Sequence, residues 1–366
     1  MAKKDTKFLD QGNIPQLSLD QRVAQMVMVG FRGLSIEEDE TIAVDITERG
    51  IGGVVLFDVD VSEKSKRNIE SPEQLQKLTT QLQSLSEIPL FIAVDQEGGQ
   101  VARLKPEYGF PETVSHHWLG QRDCLSVTRE QCSELARTLA ANGFNLNFAP
   151  CVDLALNPKN PVIARKERSF SHDANIVTGH AIEFIKAHHE LGLFCTLKHF
   201  PGHGSSKTDS HLGFVDVTDS WWPDELLPYE KLIELDFVDA IMTAHVVNGK
   251  LDEKIPATLS EKIISQKLRG EMAYDGLVIT DDMQMKAISD EYGFDVAIEK
   301  AIRAGNDILL FGNNLVYEEG IAEKVIDGIL SLLETEKISE ARINESWERI
   351  WKLKSGLIAS HVSSQP

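Results

Sequence analysis

Short apolar runs recur along the chain, and each is followed by a stretch with the residue spacing of an amphipathic helix. The runs cover residues 27–31, 51–57, 89–95, 144–150, 194–200, 240–245, 276–282 and 307–312. They are continuously apolar rather than alternating, which is typical of parallel strands buried on both faces. Eight such strands alternating with helices predict an α/β protein folded as a TIM-like (β/α)8 barrel; an open doubly wound sheet is the second possibility.

The helical stretches carry start and stop signals. Ser71 is a candidate N-cap, Pro72 suits the first helical position, and Gln74 could close a capping box. Thr128 predicts the start of a second capped helix, which Gly143 should end. Further amphipathic stretches lie near residues 175–190, 223–236, 260–271, 294–304, 319–334 and 339–353.

Composition restricts the possible partners. The chain has 366 residues, 42% of them hydrophobic, so a large core can form, and its net charge of −20 argues against nucleic acid or an anionic membrane as a partner. With no linker visible, one domain over residues 1–366 is predicted, with its core at 17–354. No oligomerisation stripe is evident, so we expect a monomer.

The start of the chain has basic residues but no apolar stretch behind them, so no signal peptide is predicted. No run approaches the length that spans a membrane. We therefore expect a cytoplasmic protein, although a chain that begins after a removed export signal would look the same.

Polar residues cluster where the apolar runs end. These positions are Asp95, Asp153, Lys198 with His199, His245, and Asp281 with Asp282. One of them alone could be a strand-terminating polar group or a cap. Five run ends together indicate a shared site, because the carboxyl ends of barrel strands meet at the rim where catalytic groups lie. Asp281 and Asp282 are neighbours on an extended chain, so only one can face the mouth, and the other should take structural hydrogen bonds.

The segment 194-FCTLKHFPGHGSSKTDSHLG-213 holds three of the chain's eleven histidines. Asp209 and His211 are separated by one residue, so in an extended loop both side chains point the same way. A carboxylate beside an imidazole fixes its tautomer and raises its pKa, which suits a proton carrier near neutral pH. The alternative is a turn in which Asp209 is a local cap and His211 is merely exposed.

Two other functional interpretations of this segment have less support from the sequence. A metal site could use His199 and His203 with His211 or Asp209, but the glycines and the proline of the loop prevent the helix that would align the first two. The four cysteines show no zinc-knuckle spacing. A phosphate cradle lacks the Gly-Lys-Ser/Thr ending of a P-loop, although Lys198 could meet an anionic group. We expect no metal and no organic cofactor.

The motif K-H-F-P-G-H-G followed by T-D-S-H resembles the β-N-acetylhexosaminidase branch of glycoside hydrolase family 3. The likeness covers most of the chain. Similar blocks are 95-DQEGGQVARL-104, 145-NLNFAPCVDL-154, 168-RSFSHD-173, 242-MTAHV-246, 256-PATLS-260 and 277-LVITDDM-283. One departure is Gln100, where many relatives have an arginine.

The resemblance implies a TIM-like barrel and retaining exo-hydrolysis of terminal β-linked N-acetylglucosamine. It implies that Asp281 is the nucleophile and that His211, paired with Asp209, is the general acid/base. The positions that would hold the sugar hydroxyls are Asp95, Arg103, Arg168, Lys198 and His199. The resemblance also implies that the substrate is a carbohydrate from peptidoglycan. Alternatives are a phosphorylase acting through the same ester, a β-glucosidase-like family 3 hydrolase, and a sugar-binding protein that has lost the chemistry.

Overall fold

A computed structural model describes residues 14–208, 213 and 215–363, and within them each predicted apolar run contains one strand. The strands are β1 Val27–Gly30, β2 Gly53–Val55, β3 Phe91–Val94, β4 Leu146–Asn147, β5 Phe194–Phe200, β6 Ala240–Thr243, β7 Leu277–Thr280 and β8 Leu309–Phe311. They pair in parallel in the order β7-β6-β5-β4-β3-β2-β1-β8. A parallel bridge between Ile279 and Ile308 joins the two edge strands. The barrel prediction is confirmed, and the open sheet is wrong.

Helices surround this barrel. The α-helices are α1 Leu19–Gln25, α2 Glu40–Val44, α3 Pro72–Leu85, α4 His116–Arg122, α5 Leu125–Ala141, α6 Ala174–His189, α7 Leu227–Glu234, α8 Lys286–Ser289, α9 Phe294–Ala304, α10 Ile321–Glu334 and α11 Glu340–Ser363. Two π-helices, Asp45–Arg49 and Lys262–Glu271, and a 3-10 helix, Pro223–Leu226, also lie in the connections between strands. Their apolar faces pack on the strands, whose side chains are almost all fully buried.

The start of α3 agrees with its predicted cap. Ser71 Oγ accepts a hydrogen bond from the Gln74 N–H at 3.2 Å, and Pro72 is the first helical residue. The capping box itself is only half formed, because the Gln74 side chain accepts from the Glu70 N–H at 2.9 Å and donates to the Leu34 carbonyl at 2.7 Å. Gln74 therefore ties the helix start to the β1 loop.

The predicted start of α5 is wrong. The helix begins at Leu125 after Cys124, and Thr128 lies inside it. The Thr128 hydroxyl lies 2.7 Å from His180 Nδ1 on α6, so a tertiary contact rather than a cap explains this threonine. The end of the helix agrees with the prediction, since Gly143 adopts a left-handed conformation with φ of 77°.

Charged groups close the amino end of the barrel. Asp307, fully buried just before β8, lies 2.7 Å from Arg269, 3.1 Å from Arg342 and 3.3 Å from Arg349. Lys354 of α11 is also buried, and its Nζ donates to the Gln25 side chain at 2.7 Å and to the Gly52 carbonyl at 2.8 Å. These contacts fasten the carboxyl-terminal helix to the end of the barrel that is opposite to the catalytic rim of such folds.

Among the helices of the described residues, none is both long enough and apolar enough to cross a bilayer.

Candidate active site

The carboxyl ends of the strands place the predicted polar residues on one rim. Asp95 follows β3 directly, Asp153 follows β4, Lys198 and His199 lie in the last part of β5, and Asp281 follows β7 directly. Because the strands are parallel and ring-closed, these positions belong to the same end of the barrel.

Lys198 is the centre of an ion-pair network. Its Nζ lies 2.6 Å from Asp95 Oδ1 and 2.8 Å from Glu97 Oε1, and the residue is 1% exposed. Burial alone would lower the pKa of Lys198, but the two carboxylates outweigh it and raise that pKa. The lysine is therefore a fixed positive charge at the rim.

Glu97 joins Lys198 to Arg168. Arg168 Nε and Nη2 lie 2.9 Å and 2.7 Å from the two Glu97 carboxylate oxygens, a bidentate pair. Burial would raise the pKa of Glu97, but Arg168 and Lys198 hold it well below its usual range. Sequence reasoning missed Glu97. The available signal was its spacing of two from Asp95, which puts both side chains on one side of an extended chain.

Asp95 also contacts Arg103, whose Nη2 lies 3.3 Å from Asp95 Oδ2. Burial would raise the pKa of Asp95, but Lys198 and Arg103 outweigh it and lower that pKa. The Arg103 and Asp95 side chains keep 26% and 19% of their surface exposed, against 2% for Lys198. Asp95 and Arg103 are thus the part of this network that a ligand in the mouth can reach most easily.

His199 lies between Asp153 and Arg168. Its Nδ1 is 2.7 Å from Asp153 Oδ2, and its Nε2 is 3.1 Å from Arg168 Nη2. Because arginine can only donate, Nε2 is the acceptor and Nδ1 carries the proton toward Asp153. Burial would raise the pKa of Asp153, but its contacts with His199 and with the His203 N–H lower it to about 2. The carboxylate therefore fixes one tautomer of His199.

One group of possible metal ligands occurs among the described residues. Donor atoms of Cys151, Asp153 and His199 lie within 4.8 Å of one another. Binding a cation there would displace the Nδ1 proton of His199 and the thiol proton of Cys151, whose pKa burial raises well above its usual value. The Arg168 guanidinium next to His199 would also repel the cation. This donor set therefore fits a hydrogen-bond network better than a metal site.

The two aspartates after β7 have different surroundings. Asp282 Oδ1 accepts hydrogen bonds from the Gln284 and Gly312 N–H groups, both at 3.0 Å. Asp282 thus takes the structural hydrogen bonds expected of one member of the pair. Asp281 is half-buried, and its Oδ1 accepts from the Asp282 N–H at 2.8 Å.

Glu225, at the start of the 3-10 helix, is a second residue that sequence reasoning missed. It is 1% exposed, and its Oε2 accepts from the Gly204 N–H at 3.0 Å. Burial raises the pKa of Glu225 to about 7. Gly202, with φ of 117°, packs so closely that a Cβ there would lie 2.6 Å from Glu225 Cβ. The carboxyl group therefore supports the loop that leads along the chain toward residue 209.

The structure brings five predicted residues into the network, namely Asp95, Arg103, Arg168, Lys198 and His199. It places Asp281 on the same rim. The predicted acid/base pair, Asp209 and His211, lies outside the described residues.

Comparisons with known proteins agree with this architecture. The family model described as "Glycosyl hydrolase family 3 N terminal domain" matches residues 18–353. Beta-hexosaminidase A of Pseudoalteromonas piscicida is 35% identical over 386 residues, which cover 95% of this chain and 62% of that protein. A beta-hexosaminidase of Haemophilus influenzae strain PittEE is 32% identical over 313 residues, covering 83% of each chain.

A solved structure is also similar, that of a glycoside hydrolase family 3 beta-N-acetylglucosaminidase from Paenibacillus sp. str. FPU-7. It superposes with a TM-score of 0.85 and 35% identity, and the match covers 96% of this chain and 64% of that one. The chain thus spans less than two thirds of the Pseudoalteromonas and Paenibacillus proteins, but most of the Haemophilus one. Since the family model covers nearly the whole chain, the chain belongs to glycoside hydrolase family 3.

Proposed function

We propose that this chain is a retaining exo-β-N-acetylglucosaminidase, which removes a terminal β-linked N-acetylglucosamine. One observation carries the proposal: the ring of strands gives Asp281 and the buried Lys198 network the same rim. A nucleophile and a set of fixed hydrogen-bonding groups on one rim are what glycoside hydrolysis needs. The relatives named beta-hexosaminidase support the choice of sugar.

In the proposed reaction, ionised Asp281 attacks the anomeric carbon and forms a glycosyl ester, which water then hydrolyses. The Asp282 N–H donates to Asp281 Oδ1 and so orients the carboxylate. His211 gives a proton to the leaving oxygen and later takes one from water, with Asp209 stabilising its charged form. No cofactor takes part in these steps.

The sugar would be held by Asp95, Arg103, Arg168, Lys198 and His199. Asp95 can accept hydrogen bonds from hydroxyl groups, and Arg103 and Lys198 can donate them. Glu97 holds both Arg168 and Lys198 in place before any ligand arrives. These long side chains thus lose their conformational entropy on folding rather than on binding. This favours tight positioning of the sugar ring.

We further propose that the substrate is a peptidoglycan fragment and that the enzyme acts in the cytoplasm as a monomer. On this proposal residues 1–366 form one catalytic domain with its core at 17–354.

Product analysis on a panel of β-N-acetylglucosaminides, with and without added phosphate, tests the proposal. The panel should contain chitobiose, a disaccharide with an anhydro-muramic acid aglycone, and an aryl glycoside. We expect free N-acetylglucosamine released first as the β-anomer, under both conditions. Sugar 1-phosphate formed only with phosphate would indicate a phosphorylase instead. First release of the α-anomer would contradict the double displacement, and no turnover of any panel member would favour a binding protein.

A further inference from the structure

A buried hydrogen-bond chain runs from the end of β6 to the loop after β7. His245 lies two residues beyond β6 and is 1% exposed. Its Nδ1 is 2.8 Å from the hydroxyl of Thr258, and its Nε2 is 2.9 Å from the backbone carbonyl of Asp282. Thr258, which is fully buried, also receives a hydrogen bond from the Thr243 hydroxyl at 3.0 Å. The imidazole thus bridges two rim segments.

The partners of His245 decide where its proton lies. A backbone carbonyl can only accept, so Nε2 carries hydrogen and donates to the Asp282 carbonyl. Thr258 engages the other ring nitrogen and so fixes the rotation of the ring about its side-chain bonds. The donor is therefore aimed by a second buried side chain, as positioning groups in active sites commonly are.

Several hydrogen bonds hold Asp282, the residue whose carbonyl His245 contacts. The Asp282 carboxylate accepts from the Gly312 N–H, its carbonyl accepts from His245, and its N–H donates to Asp281 Oδ1. The Asp281 N–H itself donates to the Thr243 carbonyl of β6 at 3.2 Å. A shift of the Asp282 backbone would therefore move the hydrogen bond that orients the Asp281 carboxylate.

We infer that His245, oriented by Thr258, is a positioning residue for the nucleophilic attack: it holds the Asp282 carbonyl and so restrains the backbone of the residue whose N–H aims the Asp281 carboxylate. This inference rests on the proposed function, since it matters for catalysis only if Asp281 is the nucleophile. In this scheme His245 acts through the Asp282 backbone. Its removal should slow formation of the glycosyl ester while leaving sugar binding nearly intact, because misplacement of a reacting group by about 1 Å costs on the order of 100-fold in rate.

The chain offers a matched control. His180 is fully buried, and its Nδ1 lies 2.7 Å from the hydroxyl of Thr128, but this pair connects α5 and α6. His180→Leu therefore removes a buried histidine–threonine contact away from the rim. A merely structural effect of losing such a contact should appear in both variants, whereas an effect on nucleophile positioning should appear only at His245.

The test compares His245→Leu, His245→Gln, Thr258→Val and Thr258→Ser with His180→Leu. The measurements are the thermal midpoint, kcat and KM on an aryl N-acetylglucosaminide, and the single-turnover rate of glycosyl-enzyme formation. For His245→Leu we expect kcat and the single-turnover rate to fall about 30- to 100-fold with KM within about threefold. His245→Gln keeps a donor near Nε2 and should recover most of the rate, and Thr258→Val should lose more than Thr258→Ser. His180→Leu should lower the thermal midpoint only.

Wild-type kcat in folded His245→Leu, or a change in KM alone, would overturn the inference. If His245→Leu does not fold, the two Thr258 variants decide, and equal single-turnover rates for them would overturn it as well. Mapping the trapped sugar on wild-type enzyme distinguishes failure of the proposed function from failure of the inference about His245. A sugar bound to a residue other than Asp281 defeats the proposed function, whereas a sugar on Asp281 with unaffected His245 variants defeats only this inference.

Discussion

At the scale of single residues, the rim consists of buried charges whose protonation states are set by their neighbours. Glu97 is the clearest case, because it is 2% exposed and bonded to both Arg168 and Lys198. Burial of this carboxylate is tolerable only because two cations share it. Glu97 thus keeps two predicted sugar-binding residues charged and in place.

Neutralising Glu97 should be costly. Glu97→Gln leaves Arg168 and Lys198 without their shared counter-charge, so we expect the free energy of unfolding at pH 7 to fall by about 3–5 kcal/mol. We also expect KM to rise, because two long side chains are released. Urea unfolding and steady-state kinetics measure both effects. Glu112→Gln, at an exposed position, is the control and should change stability and KM little. If Glu97→Gln has the same stability and KM as this control, the network does not depend on the charge of Glu97.

A residue-level prediction also applies to His211, which lies outside the described residues. If His211 is the general acid, His211→Ala should slow hydrolysis of disaccharides by about 100-fold or more, but that of activated aryl glycosides much less, because a good leaving group needs little protonation. The ratio of kcat/KM on the two substrates measures this. Equal losses on both would argue against His211 as the acid.

At the scale of elements, the sequence predicted the strands better than the details of their connections. Continuous apolar runs such as 194–200 have few alternatives to a strand buried on both faces, so the pattern predicted parallel strands and favoured the barrel over an open sheet. Polar residues at the ends of five of these runs then indicated the site. Thr128 was misread because its capping pattern is local, whereas its partner, His180, is 52 residues away. Arg168 and Glu97 are 71 residues apart, so their pairing leaves no local trace.

Glu225 is another residue whose contacts the local sequence does not reveal. An acid at the start of a helical stretch is normally solvent-exposed and favourable to the helix. Its burial results from the close approach of Gly202 and Gly204 from the β5 loop, which no helix pattern reveals. The element that joins β5 to α7 is therefore built around a carboxyl group whose charge changes near neutral pH.

Stability should therefore depend on pH through Glu225. Its pKa is about 7 in the folded protein against an ordinary 4.5, so the folded state binds the proton more tightly than the unfolded state does. The stabilising contribution of protonated Glu225 is fully present below pH 4.5 and is lost as pH rises to 7. The free energy of unfolding should therefore fall by up to about 3 kcal/mol over this range. Glu225→Gln, which remains neutral, should gain stability relative to wild type across this window.

Urea unfolding at several pH values between 4.5 and 8 measures this difference. Glu230→Gln on α7 is the matched control, because Glu230 is exposed, and its difference from wild type should stay nearly constant. A Glu225→Gln difference that is equally flat would contradict the account of the loop.

At the scale of the whole molecule, the two ends of the barrel have different tasks. The carboxyl rim holds the candidate site, while Asp307 and Lys354 fasten α11 to the amino end. In barrels of this kind the amino end serves stability and the carboxyl end serves chemistry. Changes at the two ends should therefore affect different measurements.

Asp307→Asn tests this separation. It leaves three arginines around one buried position, so the free energy of unfolding should fall by about 3–5 kcal/mol, while kcat and KM of the folded enzyme stay unchanged. Asp275→Asn is the control, because Asp275 pairs with the same Arg349 at 3.0 Å but is 80% exposed, and it should cost less than about 1 kcal/mol. A large loss of kcat in folded Asp307→Asn would show that the two ends are coupled.

In the proposed reaction, Asp281 forms the bond to the sugar. Incubation with a 5-fluoro N-acetylglucosaminyl fluoride, whose ester hydrolyses slowly, followed by intact mass and peptide mapping, tests it most directly. We expect one added sugar, located on Asp281 and absent in Asp281→Asn. A sugar found on another residue, or no adduct under conditions where the wild-type enzyme turns over aryl N-acetylglucosaminide, would contradict it.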